Sequence, residues 1–341
     1  MYESCRVAVV VPAYDEAGLV GDVIETVPEY VDYVYAIDDC STDGTWAEIR
    51  QRCTHVLDAA EFTSATLDDS DTDEQVVVGT RHEENAGRGR CIKKGYRRAL
   101  VDDVDVVAVM DGDGQMDPAQ LERIVDPVAK GRADYTKGTR LANWEHVADM
   151  SNWRLFGNVL LSLLTNLASG YWGLLDSQNG YTAISRSALE AIPIDALYDR
   201  YGFLNDLLTT LNVHGLRLAE VPHPAVYDEE ESGIAYSTFV PAVSALLLRN
   251  FLYRLQQRYL VEEFHATIVC YGVGTAGLAA GTLAGLAALL TGGAVLVGAV
   301  SASLTVVAGV VFFLLGVALD VQQNADLTYL SDSYSGPSGH G

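Results

Sequence analysis

Three carboxylates crowd the end of an apolar stretch, where Val106-Val107-Ala108-Val109-Met110 runs into Asp111-Gly112-Asp113-Gly114-Gln115-Met116-Asp117-Pro118. Acids on a turn are mostly just solvated. Asp111, Asp113, Gln115, Asp117 and Glu122 also fall at ligand-like positions of an EF-hand calcium loop, although Met116 stands where that loop needs glycine. A third chemistry is a hard divalent cation held by one or two carboxylates while diphosphate oxygens complete its shell. On these residues alone all three stay open.

The elements that must position this loop are legible around it. The run before Asp111 is continuous rather than alternating, as in a strand buried on both faces of a mostly parallel sheet. Asp117 is placed to cap a helix with Pro118 in its first turn, and Gly131 sits past the far end. Strand, acidic loop and helix together make a ligand edge of an α/β fold.

Upstream, an apolar strand from Arg6 to Val11 ends at Pro12-Ala13-Tyr14-Asp15-Glu16, and a helix closed by Pro28 follows. A second strand, Tyr33 to Ile37, ends in Asp38-Asp39-Cys40-Ser41-Thr42-Asp43-Gly44 ahead of a helix to about Cys53. This β-α-β-α order predicts crossover helices on a parallel sheet. Residues 58–74 read as a solvated acidic loop, and Val76 to Val78 as a short third strand. After it, Asn85-Ala86-Gly87-Arg88-Gly89-Arg90 places glycines and bases ahead of a helix, where a phosphate or sugar could lie on backbone amides. A further strand, Asp134 to Thr139, ends in Gly138-Thr139-Arg140. The strand ends are expected along one rim.

With 341 residues, 22 basic and 46 acidic, the net charge is −24, and only four residues are lysine. No basic field exists to replace the counterions of a nucleic acid, so none is expected as a partner. The composition resembles that of proteins from salt-loving archaea. Five widely spaced cysteines lack any CxxC pattern and read as buried thiols in a reducing compartment. The first residues lead straight into a strand, so no signal peptide is expected.

Residues 150–175 are apolar but broken by Asn158, Ser162, Asn166 and Gly170, with Arg154 as their only base; a core helix or one lying on a membrane surface both fit. Asp176-Ser177-Gln178-Asn179-Gly180-Tyr181 follows, then a helix to about Ile192, another from Phe203 to His214, and a strand from Leu216 to Tyr227. Phe239 to Leu260 reads as an amphipathic helix whose Arg249, Arg254 and Arg258 suit an anionic membrane interface. From Ala266 to Leu319, 54 residues contain no Asp, Glu, Lys, Arg or His. At ~20 residues per span, this predicts a two-helix membrane hairpin turning near Thr291-Gly292-Gly293. Gly277, Gly281 and Gly285 share one face, for contact within the hairpin or between protomers.

In this order the motifs resemble family 2 glycosyltransferases of the GT-A fold, specifically the polyprenyl-phosphate (dolichol-phosphate) hexosyltransferases. The resemblance implies a mostly parallel α/β catalytic domain over residues 1–233, with a nucleotide-sugar half at 1–140 and an acceptor half at 141–233. Beyond these lie an interfacial region at 234–262, spans at about 267–290 and 294–319, and an acidic tail at 320–341. It further implies that Pro12, Ala13, Tyr14, Glu16, Asp39, Asn85, Gly87, Asp111 and Asp113 bind the nucleotide sugar. Asp111, Asp113 and Gln115 would hold Mg²⁺ or Mn²⁺, and Arg140 and Arg154 the acceptor phosphate. Asp113, Arg140 and Asp176 form the expected catalytic set. The Asp176-Ser177-Gln178 segment is similar to that of dolichol-phosphate glucosyltransferases, favouring UDP-glucose over GDP-mannose, with dolichyl or polyprenyl phosphate as acceptor.

Two departures stand out: Asp228-Glu229-Glu230-Glu231 replaces a basic segment of relatives, and Asp206 stands in for a helix carboxylate. A phosphate acceptor needs no general base, so inverting displacement is expected on the cytosolic face, with both termini cytoplasmic and a homo-oligomer through the hairpin left open. Two alternatives are a hydroxyl acceptor with Asp176 or Asp206 as base, and a membrane protein that binds nucleotide sugar without turnover.

Overall fold

The computed structural model describes residues 1–67, 74–140, 152–223, 236–291 and 295–331. The chain forms β1 (Val7–Ala13), α1 (Val20–Thr26), β2 (Tyr33–Asp38), α2 (Thr45–Arg52), β3 (His55–Val56), β4 (Val76–Arg81), α3 (Arg88–Val101), β5 (Val106–Val109) and α4 (Leu121–Ala129). It continues with β6 (Tyr135–Thr139), α5 (Asn152–Ser169), β7 (Thr182–Ser185), α6 (Arg186–Ala191), α7 (Phe203–Val213), β8 (Leu218–Pro222), α8 (Tyr236–Gln256), α9 (Ala266–Thr291), α10 (Val295–Gln323) and β9 (Thr328–Leu330).

The strands make one sheet ordered β3-β4-β2-β1-β5-β7-β6-β8-β9, parallel throughout except that β7 is antiparallel to both β5 and β6. Alternation along the strands feeds two cores. Ala8 and Val10 of β1 pack with Ile92 and Tyr96 of α3 and Leu207 and Leu211 of α7, whereas Val7, Val9 and Val11 face Val23 of α1 and Ile124 and Val125 of α4. Both faces being covered explains the continuous apolar runs.

Three strands were not expected: β7, β9 and the two-residue β3, which pairs in parallel with β4. Thr182-Ala183-Ile184-Ser185 is too short and too close to the following helix to announce itself, yet it inserts as β7. Because β7 runs against its neighbours, its beginning lies at the rim where the other strands end, which brings Asp176–Tyr181 to that rim. Residues 328–330, expected within an acidic tail, pair in parallel with Leu218–Glu220 of β8.

α9 and α10 are long and apolar enough to cross a membrane. The glycine stripe is used between them: a Cβ at Gly281 would meet Val306 N at 2.8 Å, and one at Gly309 would meet Leu278 N at 2.6 Å. Close backbone packing of this kind is what small residues permit in lipid. α5 is amphipathic in an inverted sense. Ser162, Thr165 and Asn166 face the protein, where Thr165 bonds Asn205 at 3.2 Å and Asn166 bonds the Leu174 carbonyl at 3.0 Å, while Val159, Leu160, Leu163 and Leu164 are exposed. The apolar residues Leu248 and Leu252 of α8 are exposed as well. Arg254, expected at the lipid surface, is instead fully buried in a bidentate pair with Asp320, because the end of α10 comes back beside α8 and supplies the carboxylate.

Candidate functional site

The loops after β1 and β2 are knitted together by the residues that the sequence marked. Asp15 and Cys40 adopt left-handed backbone, with φ of 55° and 64°. The Asp15 carboxylate accepts from the Thr42 amide at 2.7 Å, and Thr45 Oγ1 accepts from the Glu16 amide at 2.7 Å. Asp38 is consumed structurally, buried against Arg81 at 2.8 Å. Asp39 accepts from the amides of Ala86 and Gly87 at 2.9 and 2.7 Å and is 2.8 Å from His82 Nδ1, so it fixes the glycine-rich loop before α3.

A cleft of about 190 Å³ opens beside these loops, lined by Pro12, Ala13, Tyr14, Glu16, Asp39, Arg88, Cys91, Asp111, Gly112 and Asp113. Seven residues expected at a nucleotide sugar therefore line one cavity. Gly87 adjoins it as the residue preceding α3, with φ of 97° and Asp199 O only 3.0 Å from where a Cβ would lie. Asn85 is exposed in the same loop, its carbonyl accepting from Arg200 at 3.4 Å. Asp113 accepts from the Gln115 amide at 3.0 Å within the loop that also carries Asp111.

These three offer hard oxygen donors from one loop beside a cleft, a set that fits Mg²⁺ or Mn²⁺. Asp117 is spent otherwise: it caps the turn Pro118–Gln120, accepting from Ala119 N at 2.9 Å, which removes a ligand that a calcium loop would need. Asp39, His82 and Cys91 also bring ligand-type atoms within 4.8 Å of one another. That trio suits a hard cation poorly, since the Asp39 oxygens already accept three bonds and burial pushes the Cys91 thiol pKa well up.

Across the rim lies the Asp176–Tyr181 segment with Arg140. Arg140 Nε donates to Asp176 Oδ2 at 2.9 Å. Burial raises the Asp176 pKa, but Arg140 and, less strongly, Lys137 outweigh it and hold the carboxyl below its ordinary value. Lys137 is fully buried and donates to the Asn179 carbonyl; burial brings its pKa down to about 7 despite nearby Asp176 and Glu220. Glu220, also raised by burial to about 7, accepts from the amides of Leu175 and Asp176 and so shapes the turn into the segment. His223 Nε2 and Asn179 Nδ2 lie 2.8 Å apart beneath it. Asp206 is engaged twice, accepting from Tyr198 N at 2.9 Å and Arg249 at 2.8 Å. Arg154 belongs to α5, but its side chain, like residues 228–231, lies outside the described part.

Arg88, Lys137, Glu220 and His82 were missed. Lys137 and Glu220 carried a readable signal, a charge inside an apolar strand, because a buried strand tolerates one only when it is partnered. His82 carried none, and Arg88 showed only as a base in the glycine-rich segment, since only the fold joins Arg88 to Asp111 and His82 to Asp39.

Comparison with known proteins decides the family. The family model described as glycosyl transferase family 2 matches residues 8–192, which span β1 to just beyond α6. The chain belongs to this family. Among curated relatives of this glycosyltransferase are a UDP-N-acetylglucosamine–dolichyl-phosphate N-acetylglucosaminyltransferase of Methanococcus voltae, 26% identical over 64% of this chain and 85% of that protein. An undecaprenyl-phosphate mannosyltransferase of Micrococcus luteus is 31% identical over 64% of this chain and 82% of its own length. Among solved structures, glucosyl-3-phosphoglycerate synthase from Mycobacterium tuberculosis aligns with a TM-score of 0.50 at 20% identity, covering 74% of this chain and 80% of that one, which bears out the GT-A fold.

Proposed function

We propose that this glycosyltransferase moves a hexose from a nucleotide sugar to a polyprenyl (dolichyl) phosphate at the cytoplasmic membrane surface. One observation carries the reading: β9, delivered by the apolar hairpin, pairs with β8, which pairs with β6, the strand that ends at Arg140. The arginine read as the acceptor's and a membrane element thus stand only two strands apart at one end of the sheet, as a lipid-borne acceptor requires. The curated relatives named above for dolichyl- and undecaprenyl-phosphate transfer support the same class of acceptor. Pairing of β9 with the catalytic sheet also supports two spans with both ends on one side, and nucleotide sugars make that side the cytoplasm.

A divalent ion bound by Asp111, Asp113 and Gln115 would neutralise the leaving diphosphate. The cleft residues Pro12, Ala13, Tyr14, Glu16 and Asp39 hold the nucleoside, with Asn85 and Gly87 behind them. Arg140, with Arg154, draws the acceptor phosphate against the anomeric carbon; Asp176 orients Arg140. The phosphate is already an anion, so displacement with inversion needs no base.

The rival with a hydroxyl acceptor requires Asp176 or Asp206 to take a proton. Asp206 is committed to Tyr198 and Arg249, and the low pKa of Asp176 makes it a poor base. A depressed carboxylate gives up its stabilising charge only as pH falls through its folded pKa, below the ordinary 3.8. Turnover between about pH 5 and pH 8 is therefore expected to show no inflection belonging to Asp176. An acidic limb present in the native enzyme and lost in Asp176→Asn would favour the hydroxyl acceptor; a limb near the phosphate pKa that persists would not.

The donor is tested with labelled UDP-glucose, UDP-N-acetylglucosamine and GDP-mannose, dolichyl phosphate, and membranes with and without Mn²⁺. A mild-acid-labile glycolipid from UDP-glucose is the result expected from the Asp176-Ser177-Gln178 segment. Absence of any metal-dependent lipid product from all three donors would defeat the proposal.

A further inference from the structure

Arg88 stands where the donor cleft meets the acceptor segment. As the first residue of α3 it directs Nε to Asp111 Oδ1 at 2.7 Å and Nη2 to the Gly180 carbonyl at 3.3 Å. Gly180 leaves just enough room for this bridge. A Cβ there would lie 2.5 Å from Arg88 Nη2 and 3.1 Å from Asp111 Oδ2. Beyond Gly180 the same segment carries Asp176, which holds Arg140. Arg88 therefore ties the carboxylate loop to the Asp176–Tyr181 backbone segment, whose first residue holds Arg140.

The charges give this bridge a direction. Before a donor arrives, the guanidinium neutralises Asp111, the same carboxylate that a divalent cation would approach. Cation and guanidinium repel one another and compete for it. A nucleoside diphosphate changes the balance by offering oxygens that suit a guanidinium fork better than a single carboxylate contact does. We infer that Arg88 is a resident counter-cation of Asp111 that passes to the diphosphate when the donor binds. Metal and nucleotide then enter together, and Gly180 is released from Arg88 in the same step, freeing the acceptor segment to adjust. This rests on the nucleotide-sugar reading of the cleft.

The test uses the full chain in detergent and reads binding rather than turnover. Mn²⁺ affinity is measured from the free-ion EPR signal without nucleotide, and then UDP and, in parallel, GDP affinity is measured at saturating Mn²⁺. In Arg88→Gln, bare Mn²⁺ is expected to bind roughly tenfold tighter than in the native protein while nucleotide diphosphate binds about tenfold weaker, a coupling of ordinary size. Gly180→Ala gives an independent arm, because its Cβ would displace the guanidinium without removing it; it too should tighten bare Mn²⁺. Adding Asp111→Asn to Arg88→Gln should abolish the gain. If the native protein binds Mn²⁺ with nucleotide but neither variant tightens bare Mn²⁺, the inference about Arg88 is overturned and the cleft reading stands. If the native protein binds neither nucleotide with Mn²⁺, the cleft reading itself falls and Arg88 with it.

Discussion

Asp113→Ala is expected to lower metal-dependent sugar transfer by about 10²-fold or more, the size of effect seen when one electrostatic contact to a developing charge is lost. The same variant should fold and insert normally. Asp113 lies in a half-buried loop, outside every strand and helix, where its carboxylate accepts locally from the Gln115 amide at 3.0 Å. Substitutions of that kind usually move stability by only about 0.5 kcal/mol. Asp111→Ala should differ, since it also strands the Arg88 guanidinium and loosens its hold on Gly180. Turnover with and without Mn²⁺, set beside thermal unfolding, checks both claims. Appreciable metal-dependent turnover by Asp113→Ala would remove the carboxylate loop from the chemistry.

How much of this was legible before the fold is clearest at the rim. Val106–Met110 announced a buried strand because both its faces are covered, and Pro12–Glu16, Asp38–Gly44 and Asp111–Asp117 announced the rim because parallel strands end on one side. What failed was everything that depends on a reversed or returning chain. β7 runs backwards, so Gly180 and Tyr181 reach the site from a strand start rather than a strand end. β9 comes back after two apolar helices, too short for any periodicity to show. Arg254 misled for the same reason: a base among leucines resembles an interfacial anchor until a distant carboxylate is brought to it. The polar breaks in α5 left a core helix and a surface helix both open, and their direction, towards the protein, needs the tertiary structure.

That returning carboxylate carries the second large effect. Arg254 and Asp320 are both 0% exposed, and their paired oxygens and nitrogens meet at 2.7 Å. Asp320 also accepts from Tyr271 at 3.2 Å and Asn324 at 2.9 Å, while Arg254 donates to the carbonyls of Leu167 and Ala168, both at 3.0 Å, at the end of α5. One ion pair thus joins α5, α8 and α10. Removing one partner leaves the other charge buried and uncompensated, so Asp320→Ala should cost about 3–5 kcal/mol. Chemical unfolding in detergent measures it. Replacing both, with Arg254→Met and Asp320→Leu, should recover most of the loss, because the pair itself gains little over a packed apolar contact once its desolvation is counted. If the double variant were as unstable as Asp320→Ala, the damage would lie in packing or in the surrounding hydrogen bonds and not in the orphaned charge. The two failures also separate in function. α5, which contains residue 154, is capped by Arg254, whereas the donor cleft lies at the ends of β1, β2 and β5. On the proposed reading, Asp320→Ala should therefore weaken use of the lipid acceptor before it weakens binding of nucleotide with Mn²⁺, because the pair it breaks holds the end of α5 rather than the ends of β1, β2 and β5.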